Sequence, residues 1–318
     1  MLKPYQQRFP WHLDWNLLRT FMVVVDEGGI TPAAHFLGLK QPTISAALKR
    51  LEDITGHKLI NRSPKHFSVT PVGRVLYAET CSIFGAVAQM PDLMSGLEDR
   101  VTGQISIAVA SHVVSRHFDG VLERFNALYP DVTYAISTMD SADVITHLEQ
   151  NRSTLGICLL NDELEGLEAR VIYREYFGLF CGPLHRLFGR HDIDIAELKD
   201  ESAVSFHTDE MDGPLSEVGQ LRRQLRMRPD PRGISSNLPE VRRMILSNIG
   251  IGALPMHVAQ KDVHLGQLWQ VPPFKGLPAV DIFLVTNGKR SMNRAELALL
   301  KMLHAEIDNV PLSERTYA

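Results

Sequence analysis

Residues 31–62 read TPAAHFLGLKQPTISAALKRLEDITGHKLINR, and this stretch decides how the first part of the chain folds. A short helical pattern, TPAAHFLG, meets a tight break at LGLK, and a longer helical pattern, QPTISAALKRLEDITG, follows at once. Two short helices joined by a few residues that include a glycine form a helix-turn-helix. The sequence therefore predicts a helix-turn-helix at this position.

Residues at the ends of the two helices support this prediction. Thr31 is a candidate N-cap of the first helix, and Pro32 follows at the position where a missing N–H costs nothing. Gly38 can adopt the left-handed conformation that ends a helix, and Gly56 can do the same for the second helix. Pro42 stands at the start of the second helix, where proline is well tolerated.

The second helix has the surface that a major groove requires. Ile44, Leu48 and Leu51 recur at spacings of four and three and predict a buried stripe. The side chains left facing outward or obliquely are Gln41, Thr43, Ser45 and Lys49. Small polar side chains on the first turns of a helix can reach base edges. Two amphipathic helices around a glycine are also common in α-rich domains, so the helix pair alone leaves simple packing open.

The next segment, HKLINRSPKHFSVTP, predicts a β-hairpin. Its strands are expected at Lys58–Asn61 and Phe67–Thr70, with a turn around Ser63 and Pro64. Three basic side chains cluster at its tip: Arg62, Lys65 and His66. A basic hairpin after a recognition helix is a wing that can meet phosphates or a minor groove. A solvated turn would also be basic and polar, so the hairpin is weak support by itself.

The chain resembles the LysR-type transcriptional regulators, a bacterial family, from about Leu13 to Ile307. The matching residues are LLRTFMVVVDEGGITPAAHFLGLKQPTISAALKRLEDITGHKLINR at 17–62, SVTPVGR at 68–74, and the order of the segments that follow. One position departs from the family pattern. Ala46 stands where the family usually has an arginine, which implies a different operator preference.

The resemblance implies the organisation of the chain. We expect an α+β winged helix-turn-helix DNA-binding domain, a long linker helix that also dimerises, and an α/β two-lobed, periplasmic-binding-protein-like (type 2) effector domain. Residues 1–12 are expected to form a loose extension and residues 13–71 the DNA-binding domain. The linker helix is expected at 72–100 and the effector domain at 103–318. Within the effector domain, lobe 1 is expected at about 103–174 and 276–310, and lobe 2 at about 175–275. The residues expected to bind DNA are Thr31, Gln41, Pro42, Thr43, Ser45, Lys49, Arg62 and Lys65.

Charge is distributed unevenly along the chain. The 318 residues have a net charge of −4, with 44% hydrophobic and 22% charged residues, which is ordinary for a folded protein. Residues 1–70 contain nine Lys/Arg and five Asp/Glu, or +4, so the remainder carries about −8. A basic head on an acidic body fits a DNA-binding domain attached to a second function. No apolar run is long enough to span a membrane and no signal-peptide core is present, so a cytoplasmic protein is expected.

The segment PVGRVLYAETCSIFGAVAQMPDLMSGLED, residues 71–99, predicts the linker helix. Apolar residues recur at alternating steps of four and three or at sevens, namely Leu76, Ile83, Val87, Met90, Met94 and Leu97. This spacing is typical of a coiled-coil-like dimer seam. The alternative is a helix that packs on its own core. Pro91 is expected to kink or break the helix near Met90.

The remaining sequence alternates strand and helix patterns. GQISIAVA, VTYAI and LGICLL are strand patterns separated by helical ones, which predicts an α/β lobe. ARVIYREYFGLFCGP reads as a long strand that crosses to a second lobe, with strands in ESAVSFH, RGISSN and IGIGALP and helices in GPLSEVGQLRRQLRM and NLPEVRRMILSN. AVDIFLVT and SMNRAELALLKMLHAEI return the chain to the first lobe.

An effector is expected in the cleft, where strands end and helices begin. The residues at these ends are Ser111, His112, Ser141, Asn161, Phe206, His207 and Asn237. Free N–H groups with hydroxyl and amide side chains nearby suit a carboxylate or another anion. Each of Ser111, Ser141 and Asn237 is also a good helix cap, and any of them can be only that.

Other classes of function are weighed against this expectation. No GxSxG, GxGxxG, Walker loop or HExxH motif points to an enzyme, and no close His/Cys cluster predicts a metal. A stand-alone solute-binding protein would lack the DNA-binding head. A thiol-based redox sensor of the same family is the main alternative, but Cys81, Cys158 and Cys181 are widely spaced and no pair forms a CxxC. No cofactor is expected, and the expected partners are double-stranded DNA, a small anionic effector, a homodimer or homotetramer partner and, as a further candidate, RNA polymerase.

Overall fold

The computed structural model describes residues 13–63, 66–88, 90, 101–161, 164, 166–209 and 213–317. The chain divides into two compact units. The first unit ends at Met90 and also takes in Glu149–Arg152, and the second unit holds the rest of the chain.

The first unit is a winged helix-turn-helix, as predicted. Its described elements are α1 (Trp15–Asp26), α2 (Ile30–Phe36), α3 (Gln41–Thr55), β1 (Ile60–Ser63), β2 (His66–Val69) and α4 (Pro71–Ala88). β1 and β2 form an antiparallel hairpin, in which Ile60 pairs with Val69. The hairpin therefore exists, with its first strand two residues later than the sequence suggested.

The core of this unit is built from the predicted apolar stripe. Ile44, Leu48 and Leu51 of α3 are buried against Phe21 of α1. Ala33 of α2 is buried in the same core. Its small methyl side chain allows α2 and α3 to approach closely. Packing of this stripe fixes which face of α3 remains exposed.

Glycines end both helices of the motif, whereas the predicted N-cap is wrong. Gly38 and Gly56 adopt the left-handed conformation with φ of +64° and +72°. Gly29, not Thr31, is the residue before α2, and the Ala33 N–H donates to the Gly29 carbonyl at 3.2 Å. Thr31 lies within the first turn of α2, where its side chain forms no capping hydrogen bond.

The second unit is a two-lobed α/β structure. Its first described elements are β3 (Gly103–Ala110), α5 (Arg116–Leu128), β4 (Val132–Met139), α6 (Ser141–Glu149), β5 (Leu155–Cys158) and β6 (Leu167–Cys181). These are followed by β7 (Ala203–Phe206), α7 (Ser216–Gln224), β8 (Gly233–Ser235), α8 (Leu238–Leu246), β9 (Ile251–Pro255) and α9 (Met256–His264). The last elements are β10 (Trp269–Val271), β11 (Ala279–Asn287), α10 (Arg294–Asn309) and β12 (Thr316–Tyr317).

One long strand connects the two lobes. The strand order is β4-β3-β5-β11-β6-β9-β7-β8, with β10 and β12 also paired to β6. In β6, Tyr176 still pairs with Ala279 of lobe 1, whereas Phe177 already pairs with Pro255 of lobe 2. The crossing between lobes therefore falls between these two residues. The elements that the sequence did not suggest are α9, β10, the short β12 and two 3-10 helices at Ile195–Leu198 and His207–Asp209.

Candidate DNA interface and effector cleft

The first turns of α3 present the predicted polar side chains to solvent. Gln41, Pro42, Thr43 and Lys49 are exposed, and Ser45 is half-buried beside the core stripe. Thr31 is exposed at the start of α2. Side chains in these places can reach base edges and phosphates when a helix enters a major groove.

A buried carboxylate that the sequence did not point to braces the wing against α3. Glu52 is 5% exposed. Its Oε1 accepts from the Leu59 backbone N–H at 3.0 Å, and its Oε2 accepts from Lys58 Nζ at 2.7 Å. Burial alone would raise the pKa of Glu52, but these hydrogen bonds outweigh it and hold that pKa below 4.5. An acidic residue next to the buried stripe, with a lysine six positions later, was the available signal.

Of the two basic residues predicted to bind DNA from the wing, one lies within the described residues. Arg62 lies in β1, where it pairs with Phe67 of β2. Lys65 lies outside the residues that the structure describes. The hairpin backbone thus places Arg62 one residue before the end of its strand.

The linker helix divides its apolar residues between two surfaces. Leu76 packs on the core of the winged helix, so this residue follows the alternative in which the helix packs on its own unit. Val87 and Met90 are 44% and 53% exposed, and Ile83 is half-buried. Val75, which the predicted seam did not include, is 67% exposed. Pro91, Met94 and Leu97 lie outside the described residues.

In the second unit, Ser111 connects the two lobes directly. Its hydroxyl donates to the Ser236 carbonyl at 2.8 Å and accepts from the Leu238 backbone N–H at 3.2 Å. Ser111 follows β3 of lobe 1, whereas Leu238 is the first residue of α8 in lobe 2. The hydroxyl therefore caps a helix of the opposite lobe, which satisfies a donor that an anion would otherwise use.

The other helix starts at the cleft are also occupied by protein groups. The Ser141 hydroxyl accepts from the Leu159 backbone N–H at 3.2 Å, and Asp140 rather than Ser141 caps α6 through the Asp143 N–H at 2.9 Å. A carboxylate at this helix start disfavours a second anion there. The predicted anion sites at the starts of α6 and α8 are thus already filled.

Two polar side-chain atoms near the cleft have no hydrogen-bond partner among the described residues. His112 is buried, its Nε2 has no partner, and burial lowers its pKa to about 4. Asn237 precedes α8, but its side chain does not cap the helix and its Oδ1 has no partner. A neutral imidazole and an amide are therefore available for hydrogen bonding if the lobes rearrange.

Two cavities lie between the lobes. One of about 410 Å³ is mainly apolar and is lined by Ser141, Ile145, Leu159 and Asn161 of lobe 1 and by Thr208 and Pro214 of lobe 2. The other, of about 350 Å³, shares Asn161 and Pro214 with it. We call the first the interlobe cavity. Both volumes suit a small metabolite.

A third cavity, of about 620 Å³, lies within lobe 2. Phe206, His207, Arg222 and Arg223 line it, and it shares Gly213 with the smaller interlobe cavity. Arg222 is held by Asp209 at 3.1 Å, whereas the exposed Arg223 forms no ion pair with any residue that the structure describes. A fixed and an unpaired guanidinium next to each other favour an anionic ligand. We call this the lobe 2 cavity.

The cysteines have the chemistry of buried thiols. Cys81, Cys158 and Cys181 are buried and unpaired. Burial raises the pKa of the Cys158 and Cys181 thiols to about 12, and it also raises the pKa of Cys81. Because the thiolate is the reactive form, this environment disfavours thiol-based sensing.

The described residues lack two further features, a metal-binding cluster and a membrane-spanning helix. No cluster of three or more His, Cys, Asp or Glu side chains in these residues could hold a metal ion. No described helix is both long enough and apolar enough to cross a membrane.

A winged helix-turn-helix followed by a two-lobed α/β domain is the domain arrangement of a DNA-binding transcriptional regulator. A family model for a bacterial regulatory helix-turn-helix protein of the lysR family matches residues 15–74, and a model for the LysR substrate binding domain matches residues 98–308. The chain belongs to the LysR family of transcriptional regulators.

Individual relatives agree with this assignment. The chain is 27% identical over 299 residues to the HTH-type transcriptional activator BauR of Pseudomonas aeruginosa, covering 92% of this chain and 94% of BauR. It is 24% identical over 249 residues to the HTH-type transcriptional regulator CysL of Bacillus subtilis strain 168, covering 78% and 83% of the two chains.

Solved structures show the same fold at lower identity. CbnR, a LysR family transcriptional regulator, superposes with a TM-score of 0.67 at 16% identity, covering 93% of this chain and 99% of CbnR. A full-length OxyR variant from Pseudomonas aeruginosa superposes with a TM-score of 0.59 at 18% identity, covering 96% and 97%. The predicted family and fold class are thus confirmed.

Proposed function

We propose that this regulator reads its operator as a homodimer or homotetramer and that a small anionic metabolite bound between the lobes controls its activity. The observation that carries the effector proposal is the interlobe cavity, since residues of both lobes line it. A ligand that touches both lobes can favour one degree of closure over another. Such differential affinity is what allows a ligand to shift a conformational equilibrium.

The anionic character of the effector rests on the lobe 2 cavity. Its arginines replace the helix starts as the expected partners of a carboxylate or phosphate, because protein groups already cap α6 and α8. The ligand would place its anionic group near Arg222 and Arg223 and its apolar body against the interlobe cavity. The cavity of about 350 Å³ lies between these two places, since it shares Gly213 with the lobe 2 cavity and Asn161 and Pro214 with the interlobe cavity.

Recognition of DNA is assigned to the exposed face of α3 and to the wing. Gln41, Thr43 and Ser45 are proposed to contact base edges, whereas Lys49, Arg62 and Lys65 contact phosphates. Regulation rather than catalysis is proposed as the activity, in the cytoplasm where DNA is accessible. RNA polymerase remains a candidate partner for which the described residues suggest no specific contact surface.

A thermal-shift screen of the full chain against organic acids, amino acids and aromatic carboxylates tests the effector proposal. A hit is then titrated by calorimetry into wild type, Arg223→Gln and Ala142→Phe. Ala142 lines the interlobe cavity, so the phenylalanine should fill it and weaken binding. Arg226→Gln and Thr146→Phe are matched controls, because neither residue lines any of the three cavities.

The outcomes separate the two parts of the proposal. Weaker binding by Ala142→Phe with unchanged binding by Thr146→Phe supports an interlobe ligand. If Ala142→Phe and Thr146→Phe bound the ligand with equal affinity, the ligand would lie outside the interlobe cavity. Loss of affinity in Arg223→Gln but not in Arg226→Gln supports an anion in the lobe 2 cavity, whereas equal affinities would refute that part.

A further inference from the structure

A carboxyl group with no hydrogen-bond partner is buried where β6 crosses between the lobes. Glu175 is 0% exposed, and neither of its carboxyl oxygens has a hydrogen-bond partner among the described residues. Its backbone pairs with Val280 of β11 and with Tyr317 of β12, two residues before β6 joins the sheet of lobe 2. Buried polar groups are almost always hydrogen-bonded, so this carboxyl calls for a physical explanation.

A histidine of lobe 2 faces this carboxyl. His257 Nδ1 lies 3.9 Å from Glu175 Oε2 and has no hydrogen-bond partner among the described residues. The opposite ring nitrogen, Nε2, is 2.9 Å from the Val114 carbonyl of lobe 1. Since a carbonyl only accepts, Nε2 carries the proton and donates. His257 therefore ties lobe 2 to lobe 1 and points its free nitrogen at Glu175.

Among the described residues, no Lys or Arg side chain forms an ion pair with Glu175, and the buried Arg315, two residues before Tyr317, instead donates to the Val171 and Ile172 carbonyls. Tyr317 of β12 and Tyr173 of β6 pack against His257, with ring centroids 4.7 Å and 6.4 Å away. The charged or titratable groups behind these rings are Arg116 over Tyr317, His117 paired with Glu306 of α10, and Asp119 near Tyr173. Asp281, next to Val280 on β11, is paired with Arg174. Within the described residues, His257 is thus the titratable side chain placed to interact with Glu175.

Burial shifts the two groups in opposite directions. It raises the pKa of Glu175 well above 4.5 and lowers the pKa of His257 below 6.5. In this arrangement of the lobes, which we call closed, burial therefore favours a neutral carboxylic acid facing a neutral imidazole. If the lobes part and water enters, the Glu175 O–H bond gives its proton to water and the carboxylate forms.

We propose that Glu175 and His257 form a proton-linked latch between the two lobes, in which protonated Glu175 permits closure and its ionisation favours opening. The raised pKa of Glu175 means that closure is favoured at low pH and weakens as pH rises above 4.5. The lowered pKa of His257 gives closure the opposite dependence on pH, because closure weakens as pH falls below 6.5. The two slopes oppose each other between these values. Above pH 6.5 only the titration of Glu175 acts, so closure should weaken by up to about tenfold per pH unit until the pH passes the raised pKa of Glu175.

The test measures lobe separation in the full chain without any effector, so its failure would leave the effector proposal standing. Labels are attached by Asp143→Cys on α6 and Gln224→Cys on α7, both exposed, and the buried native cysteines should stay unlabelled. Fluorescence energy transfer is followed from pH 5 to 8.5 in wild type, Glu175→Gln and His257→Gln. Glu240→Gln, on the surface of α8, is the control for removal of a carboxylate.

The wild type should change little between pH 5 and 6.5 and open as pH rises further. Glu175→Gln cannot ionise, so the opening above pH 6.5 should vanish, while Glu240→Gln should follow the wild type. His257→Gln keeps a donor for the Val114 carbonyl but not the opposing slope, so its opening should begin below pH 6.5. The latch would be overturned if Glu175→Gln opened with the same pH dependence as the wild type. It would also be overturned if His257→Gln showed the same pH dependence as the wild type between pH 5 and 6.5. If Glu175→Gln does not fold, the His257→Gln profile alone decides.

Discussion

Removal of the Glu52 carboxylate should loosen the wing and leave the rest of the chain intact. In Glu52→Ala the Leu59 N–H loses its only described acceptor and stays buried, since Leu59 is 0% exposed. A buried donor without a partner costs about 1–3 kcal/mol. The ion pair with Lys58 adds less than about 1 kcal/mol, because the lysine side chain is 75% exposed and screened by water.

Hydrogen exchange of the wing amides, followed by mass spectrometry on the full chain, measures this cost locally. Loss of about 1–3 kcal/mol corresponds to exchange roughly 5- to 150-fold faster across residues 57–63. Glu52→Gln keeps an oxygen for Leu59 and should show a smaller effect. Asp53→Asn is the matched control, since Asp53 is the exposed neighbour on the same helix.

The lowered pKa of Glu52 also predicts how this brace depends on pH. A carboxyl whose pKa is lower in the folded state stabilises that state above its unfolded-state value of 4.5. The stabilisation is lost as pH falls through the lower folded-state pKa. Equal exchange of the wing in Glu52→Ala and Asp53→Asn would refute the brace.

Four further predictions concern DNA binding, assembly and closure. Gln41→Ala should cost about 1–3 kcal/mol at the cognate site and relax its sequence preference, and an unchanged specificity profile in a binding-site selection would argue against base contact. Arg62→Ala should weaken binding to every sequence and reduce the salt slope by about one unit, whereas an effect confined to one base pair would indicate minor-groove readout. Replacement of both Ile83 and Val87 by glutamate should dissociate a dimer, as measured by sedimentation, and weaken DNA binding. A dimer that stays intact would show that these two residues do not form the dimer interface. Ser111→Ala should cost closure about 1 kcal/mol, because it removes both hydrogen bonds to the start of α8, and unchanged energy transfer between labelled lobes would show that this cap is dispensable.

Local patterns in the sequence determined the winged helix-turn-helix and the alternating α/β order. The spacing of Ile44, Leu48 and Leu51 determines which face of α3 is buried, because one helical face repeats every three or four residues. The glycine conformations at the helix ends follow from the missing Cβ atom. The polar face at Gln41 and Thr43 could be predicted for the same reason, since it is what the buried stripe leaves exposed.

Only the tertiary structure decided how polar groups from distant segments pair. The sequence marks Ser111 as a residue after a strand, but the helix that it caps begins 127 positions later and in the other lobe. Glu175 and His257 likewise come from different elements, and Arg223 becomes part of a cavity only when the lobe 2 segments fold together. Periodicity records whether a side chain faces inward or outward. It carries no information on which donor lies opposite which acceptor, because that depends on how whole elements pack.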